Sequence, residues 1–357
     1  AIGNWYKRLT FTFNADYKIR DWLTSYSSFN YSDAKWKDIT TNSEANYFGR
    51  MLSAPPTQRE YNANGELLLG TNSGDGNPLY NIDNFKRDNN TNKFALSQSF
   101  KVQIINNLNF KLNGSWLIDE GLYESFNKDY LSSPGVLNTT RSTSASFDRT
   151  VNQTYNAVLN YDLQLNDHYI SAMAGAEFYD KYNKGLSASG SGAATDDFGD
   201  LEYTSKLENK RSIDSYHVRE RILSFFGRLN YDFKERYLLS ATFRRDGYSK
   251  LLGDNRWGFF PGVSAGWVIS KEDFMRDYDN IVSFLKLRAS YGLNGNASGI
   301  GAYTLQGSYS SAAYGLQPGY VMGNLPSSWL KWERSNTFET GMDIGLLQNR
   351  INVNLTY

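Results

Sequence analysis

The chain has 357 residues, in which 37 basic side chains are balanced by 37 acidic ones; without a basic excess, nucleic acid is not an expected partner. Two histidines and no cysteine leave little for a zinc site, a thiol nucleophile or a disulfide framework. A mean hydropathy of -0.56, with no apolar run near the roughly 18 residues of a spanning helix, excludes a helical membrane protein but not a membrane β-barrel, whose strands hide apolar residues at every second position.

Aromatic residues make up 15% of the chain, alongside 30 glycines, which is strand and turn chemistry. Period-two alternation recurs throughout and helical periodicity is nearly absent. The odd positions Leu9, Phe11, Phe13, Ala15 and Tyr17 alternate with Thr10, Thr12, Asn14 and Asp16. After Lys18-Ile19-Arg20-Asp21 a second strand starts at Leu23 and ends in Phe29 and Tyr31. The same hairpin unit returns at 94–104 and 108–116 around Asn106-Asn107, and at 152–163 and 168–178 around Asn166-Asp167. In the fourth copy Phe225, Gly227, Leu229, Tyr231 and Phe233 face one way; a turn at Lys234-Glu235 leads to Tyr237, Leu239, Ala241 and Phe243. Further strands read at 259–269, 284–292, 337–346 and 351–357. The reading is all-β, with about twelve strands of roughly the 9–11 residues that cross a bilayer.

Charged residues fill one face of these strands and apolar residues the other. A soluble sandwich and a membrane barrel both show that pattern, so the strands alone leave the two open. The connectors favour the barrel. Those after the first, third, fifth, seventh and eleventh strands are tight, whereas 32–92, 118–151, 179–218 and 293–334 are long. Outer-membrane barrels segregate connectors in this way, with short periplasmic turns and long extracellular loops. The expected fold is a transmembrane antiparallel up-and-down β-barrel, with 1–357 part of a single barrel domain. The polarity of the strands puts both Ala1 and Tyr357 toward the outer side, so the chain is expected to be an internal piece of a larger barrel.

Several stretches then acquire a family meaning. Phe226-Gly227-Arg228-Leu229-Asn230-Tyr231-Asp232-Phe233-Lys234-Glu235-Arg236-Tyr237-Leu238-Leu239-Ser240-Ala241 runs on to Phe243-Arg244-Arg245-Asp246-Gly247. Asn255-Arg256-Trp257-Gly258-Phe259-Phe260-Pro261, Phe284-Leu285-Lys286-Leu287-Arg288-Ala289-Ser290-Tyr291-Gly292 and Leu330-Lys331-Trp332-Glu333 follow, before Gly345-Leu346-Leu347-Gln348-Asn349-Arg350-Ile351. In order and spacing, 222–357 resembles the SusC/RagA-type TonB-dependent transporters of the Gram-negative outer membrane. The resemblance of 1–220 is one of architecture. It implies a barrel of about 22 strands with a plug in its lumen, a SusD-like surface lipoprotein as lid, and import of oligosaccharides or peptides driven by TonB–ExbB–ExbD. The plug and the TonB-contacting segment lie outside this chain. The alternatives are a passive porin- or adhesin-type barrel without energy coupling and a soluble all-β carbohydrate-binding protein.

Arg228, Asp232, Arg244, Lys286, Arg288, Glu339 and Asp343 fall on the polar register, where they are expected to face a wet lumen or its plug, with a minority steering a charged substrate. Trp257, Phe259, Phe260, Trp267 and Tyr237 are expected as an interfacial girdle. On the loop from Asn294 to Ser335, Tyr303, Tyr309, Tyr314, Tyr320 and Trp329 could dock a lid or stack on substrate; Trp332, next to a strand, reads as structural. Asp196, Asp197, Asp200 and Glu202 form an oxygen-rich loop that lacks EF-hand spacing, and a solvated flexible loop is the simpler reading. His168 and His217 have no Ser or Cys partner at a recognisable spacing, and Gly292, Gly295, Gly299 and Gly301 lack the strand–turn–helix context of a dinucleotide loop. No catalytic, cofactor or metal residue is expected.

Overall fold

A computed structural model describes residues 4–37, 84–133, 136–207, 209–315 and 317–357, with residues 52, 56–57, 59–68, 77 and 79 between the first two segments. Much of the connector expected over 32–92 lies outside the described residues. The strands are β1 (Trp5–Arg20), β2 (Leu23–Lys37), β3 (Phe85–Ile105), β4 (Leu108–Asn127), β5 (Tyr130–Ser133), β6 (Val136–Asn138), β7 (Ser142–Leu165), β8 (His168–Ser191), β9 (Arg211–Phe233), β10 (Tyr237–Tyr248), β11 (Trp257–Val268), β12 (Val282–Asn296), β13 (Tyr309–Tyr314), β14 (Gln317–Met322), β15 (Glu333–Leu346) and β16 (Ile351–Thr356). Twelve of them form one sheet in the order β1-β2-β3-β4-β7-β8-β9-β10-β11-β12-β15-β16, while β5–β6 and β13–β14 are separate hairpins. Every pairing in the large sheet is antiparallel, and β1 and β16 are its two edges.

Turn chemistry sets the tight hairpins. Asn166 (φ 51°), Lys234 (φ 57°), Glu235 (φ 53°) and the run Leu347, Gln348 and Asn349 all take left-handed backbone, as short hairpin loops require. Lys234 and Glu235 are not residues that favour this region; hydrogen bonds hold them there. The Glu235 amide donates to the Asp232 carboxylate (2.7 Å) and the Arg236 amide to the Phe233 carbonyl (2.9 Å).

Register gathers the apolar positions onto one face. Leu229 lies opposite Ala172 and Ala241, Ala241 opposite Val263, Val263 opposite Tyr291 and Tyr291 opposite Phe338. On the other flank Phe13 meets Phe29, Phe29 meets Leu96 and Leu96 meets Trp116. Leu229 is 49% exposed, Val263 58% and Phe338 61%, and among the described residues no second sheet covers this face. Soluble monomers rarely leave large contiguous apolar patches in water, whereas a barrel wall presents such a band to hydrocarbon.

The tight connectors 21–22, 106–107, 166–167, 234–236 and 347–350 all lie at one end of the sheet, with 269–281, which folds into short 3-10 segments. At the other end the chain leaves β2, β4, β8 and β12 and enters β3, β7, β9 and β15, with the shorter 249–256 between β10 and β11. The strands reach much further toward the long-loop end than the alternation suggests: β7 and β8 have 24 residues and β9 has 23, against 12 in β10 and β11. Much of 118–151 and 179–218, expected as loop, is therefore strand. The reason is compositional, since Ser142-Thr143-Ser144-Ala145-Ser146 pairs with Ser187-Ala188-Ser189-Gly190-Ser191, leaving both faces small and polar with no alternation to read.

Phe260 departs from the expected girdle. Adjacent strand residues point to opposite faces, so Phe259 takes the apolar face and Phe260 the polar one, where its ring meets Trp332 edge-on at 5.3 Å. At the tight-turn end His168 lies against Phe233 (4.7 Å between ring centroids) and hydrogen-bonds through Nδ1 to the Tyr231 hydroxyl (2.8 Å).

Candidate functional site

The face opposite the apolar band carries the charged residues singled out from the alternation. Arg228, Asp232, Arg244, Lys286, Arg288, Glu339 and Asp343 all project from it, because each neighbours an apolar-face residue in sequence. They fall into two groups. Arg244 is held by Asp246 (2.8 Å), Glu177 (3.1 Å) and the Ser224 hydroxyl (2.8 Å), with its guanidinium over the Phe226 ring. Beside it, Arg228 lines a depression of about 550 Å³ shared with Arg244, Phe260, Gly262, Gly292 and Asn294.

The second group centres on Arg288, which pairs with Glu339, lies 3.7 Å from Asp343 and donates to the Thr356 hydroxyl at 2.6 Å. Lys286, Arg288, Glu339 and Asp232 line a depression of about 420 Å³ floored by Asn230, Ser240, Ser264 and Ser290. Asp232 also serves the Lys234-Glu235 turn through its carboxylate, a role its place on the polar register did not reveal. The surface is zwitterionic and shallow. It suits weak contacts with polar material.

The loop after β12 is rooted by a small core at the ends of β10 and β11. Tyr248, Leu251, Ala297 and Leu305 are buried together, with Ile222, Leu252, Ile300, Leu330 and Trp332 packed against them. The Trp332 indole donates to the Arg256 carbonyl at 3.1 Å. On that root the hairpin β13–β14 projects outward. Tyr309 and Tyr320 share one of its faces, since Ser311 pairs with Tyr320 and Tyr309 with Met322. Tyr314, 92% exposed, stands near its tip, and Trp329 is also open to solvent. Tyr303 is set apart from them: its hydroxyl lies against the Arg219 amide (3.4 Å). The aromatic signal was legible in the sequence, but the root was not, because Leu251 and Leu305 sit in stretches without periodicity.

The acidic loop is anchored. Asp196 accepts from Arg141 Nε (2.7 Å) and from the Asp129 amide (2.9 Å), tying the β8–β9 loop to the β4–β7 loop. Arg141 also pairs with Asp129 at 2.5 Å. Burial works against the Asp196 carboxylate, but the Asp129 amide and the Arg141 guanidinium outweigh it and hold its pKa below the usual carboxylate value. A depressed folded value contributes stability above the unfolded pKa, which is lost as pH falls through the folded one. Hydrogen exchange across 192–207, corrected for intrinsic rate, is therefore expected to stay constant from neutral pH to the ordinary aspartate value of 3.8 and to rise below it. A rise already at pH 6 would separate Asp196 from that lock.

The family model for "TonB dependent receptor-like, beta-barrel" matches residues 36–357. The chain belongs to that family. The TonB-dependent receptor SusC of Bacteroides thetaiotaomicron is 33% identical over 210 residues, 56% of this chain and 20% of SusC. The TonB-dependent receptor P26 of Formosa agariphila is 27% identical over 98% of this chain and 36% of its own length. The chain thus spans a fifth to somewhat over a third of these relatives. Among solved structures, that of the RagAB peptide transporter superposes with a TM-score of 0.83 at 21% identity, covering 98% of this chain and 40% of that one. The siderophore receptor PiuA of Acinetobacter baumannii superposes with 0.51 at 13% identity, over 100% of this chain and 50% of that one. The fold is therefore that of a TonB-dependent receptor barrel wall. In membrane barrels generally, an apolar band is the outer surface and the polar face the inner one.

Proposed function

We propose that this chain is the barrel wall of a SusC-type importer in the Gram-negative outer membrane, taking up oligosaccharides or peptides captured with a SusD-like lipoprotein lid. The apolar face, continuous over twelve antiparallel strands and backed by a charged face, carries the reading, and membership of the TonB-dependent receptor family supports its direction. Lipid meets Leu229, Val263 and Phe338, while the lumen is lined by Arg228, Asp232, Arg244, Lys286, Arg288, Glu339 and Asp343. No bond chemistry occurs. Substrate enters from the side of the long connectors, where Tyr309, Tyr314, Tyr320 and Trp329 offer flat rings for lid or cargo. TonB–ExbB–ExbD supplies the energy through a plug and coupling segment that lie outside this chain.

Uptake of labelled oligosaccharides and peptides by cells producing the full-length receptor tests this. Accumulation is expected to require both TonB and the lipoprotein, and to stop when a protonophore collapses the inner-membrane gradient. Uptake that persists without TonB would show a passive pore and end the importer reading.

A further inference from the structure

Rows of paired residues climb the outer face of β7, β8 and β9 from the apolar band toward the long-loop end. They read Tyr155, Phe178, Leu223; then Gln153, Asp180, Arg221; then Val151, Tyr182, Arg219; then Arg149, Lys184, His217. Spacing by two keeps every one of them on the apolar face. The rows directly above the rings are rich in cations. Asp180 is the single carboxylate within these rows, and its side chain is only 8% exposed. It accepts from Arg219 through Nε (2.9 Å) and Nη2 (2.6 Å) and from Arg221 through Nε (3.1 Å).

One carboxylate between two guanidiniums leaves a positive charge over, and it fixes both planar forks side by side while they stay half exposed, at 50% and 48%. Arg149 is offset by Glu120 at 3.1 Å, whereas Lys184 extends the positive row. On the same face of β10, Arg245 lies over the Trp257 ring at 5.0 Å, as an interfacial pair would.

We propose that this patch, centred on Lys184, Arg219 and Arg221, binds the phosphate group of an anionic lipid in the outer leaflet. The inference rests on the reading that the apolar band meets hydrocarbon. Guanidinium forks match phosphate bidentately, and the ligand is a lipid because the patch continues the apolar band without a break. A headgroup at this depth keeps its acyl chains against Phe178 and Leu223. Free phosphate would share the polar contact but not the apolar one.

The test reconstitutes the full-length receptor in phosphatidylcholine nanodiscs doped with phosphatidic acid and measures enrichment of the anionic lipid around the protein. Wild type is expected to retain phosphatidic acid over phosphatidylcholine. Each cation near an anionic surface contributes about fivefold, so the K184Q/R219Q double variant should lower the preference roughly 25-fold. Arg221 stays in that variant to partner Asp180, and heat-shifted gel mobility reports its folding. Should the double variant not assemble, Lys184→Gln alone, outside the Asp180 network, is expected to lower the preference about fivefold. Absence of preference in wild type, or an unchanged preference in the variants, overturns the proposal. So does displacement of the lipid by equimolar inorganic phosphate, which would mark a free-anion site. Failure of wild-type receptor to enter nanodiscs at all would instead overturn the barrel reading beneath it.

Discussion

Leu229→Arg is expected to destabilise the assembled barrel by about 2–4 kcal/mol, the cost of placing a cation at mid-depth on a lipid-facing strand. Leu229 lies between the Phe225 and Phe233 rows of β9 and opposite Ala172 and Ala241. Arginine there has no acidic neighbour on its own face, and neither membrane surface is close enough for the side chain to reach easily. Leu287→Arg, between Trp267 and Met342, is expected to behave alike. The matched control is Ser171→Arg on the other face of β8, opposite Asn230, with an expected change within about 0.5 kcal/mol. Denaturant unfolding of the full receptor in liposomes measures all three. Equal losses on the two faces would show that the face assignment is wrong.

Truncating the loop root gives the second large effect. Leu251 is fully buried and Leu305 only 2% exposed, so Leu251→Ala and Leu305→Ala are each expected to cost about 2–5 kcal/mol of local stability. The loss falls on the docking of 297–332 to the ends of β10 and β11, not on the hydrogen-bonded wall. Limited proteolysis should then cut around β13–β14 many times faster while gel mobility of the folded barrel is unchanged. If cleavage is no faster, the loop is held by something other than the cluster of Tyr248, Leu251, Ala297 and Leu305.

The architecture was readable wherever one face is apolar and the other polar. Leu229–Phe233, Tyr237–Phe243 and Leu285–Tyr291 each alternate cleanly, and the turns at Asn106-Asn107, Asn166-Asp167 and Lys234-Glu235 fall where the alternation breaks. The same alternation put the seven charged positions on one register. The upper halves of β7 and β8 carry no strand signal, because residues such as Ser144 and Ser189 differ too little between faces to mark one. Aromaticity alone does not separate Phe260 from Phe259; strand parity does, and it assigns the two to opposite faces. The anchoring of Asp196 was out of reach for another reason: Arg141 and Asp129 come from a different loop, and only the pairing of β7 with β8 brings them together.

The unequal heights of neighbouring strands have a geometric consequence. At their tight-turn ends β9 and β10 are level, since Phe233 pairs with Tyr237, so the excess of β7, β8 and β9 over β10 and β11 is gained wholly at the opposite end. A dozen additional residues at about 3.3 Å each amount to roughly 40 Å measured along a strand. The opening is therefore oblique, a tall parapet beside a notch, and 297–332 is planted at the foot of that notch.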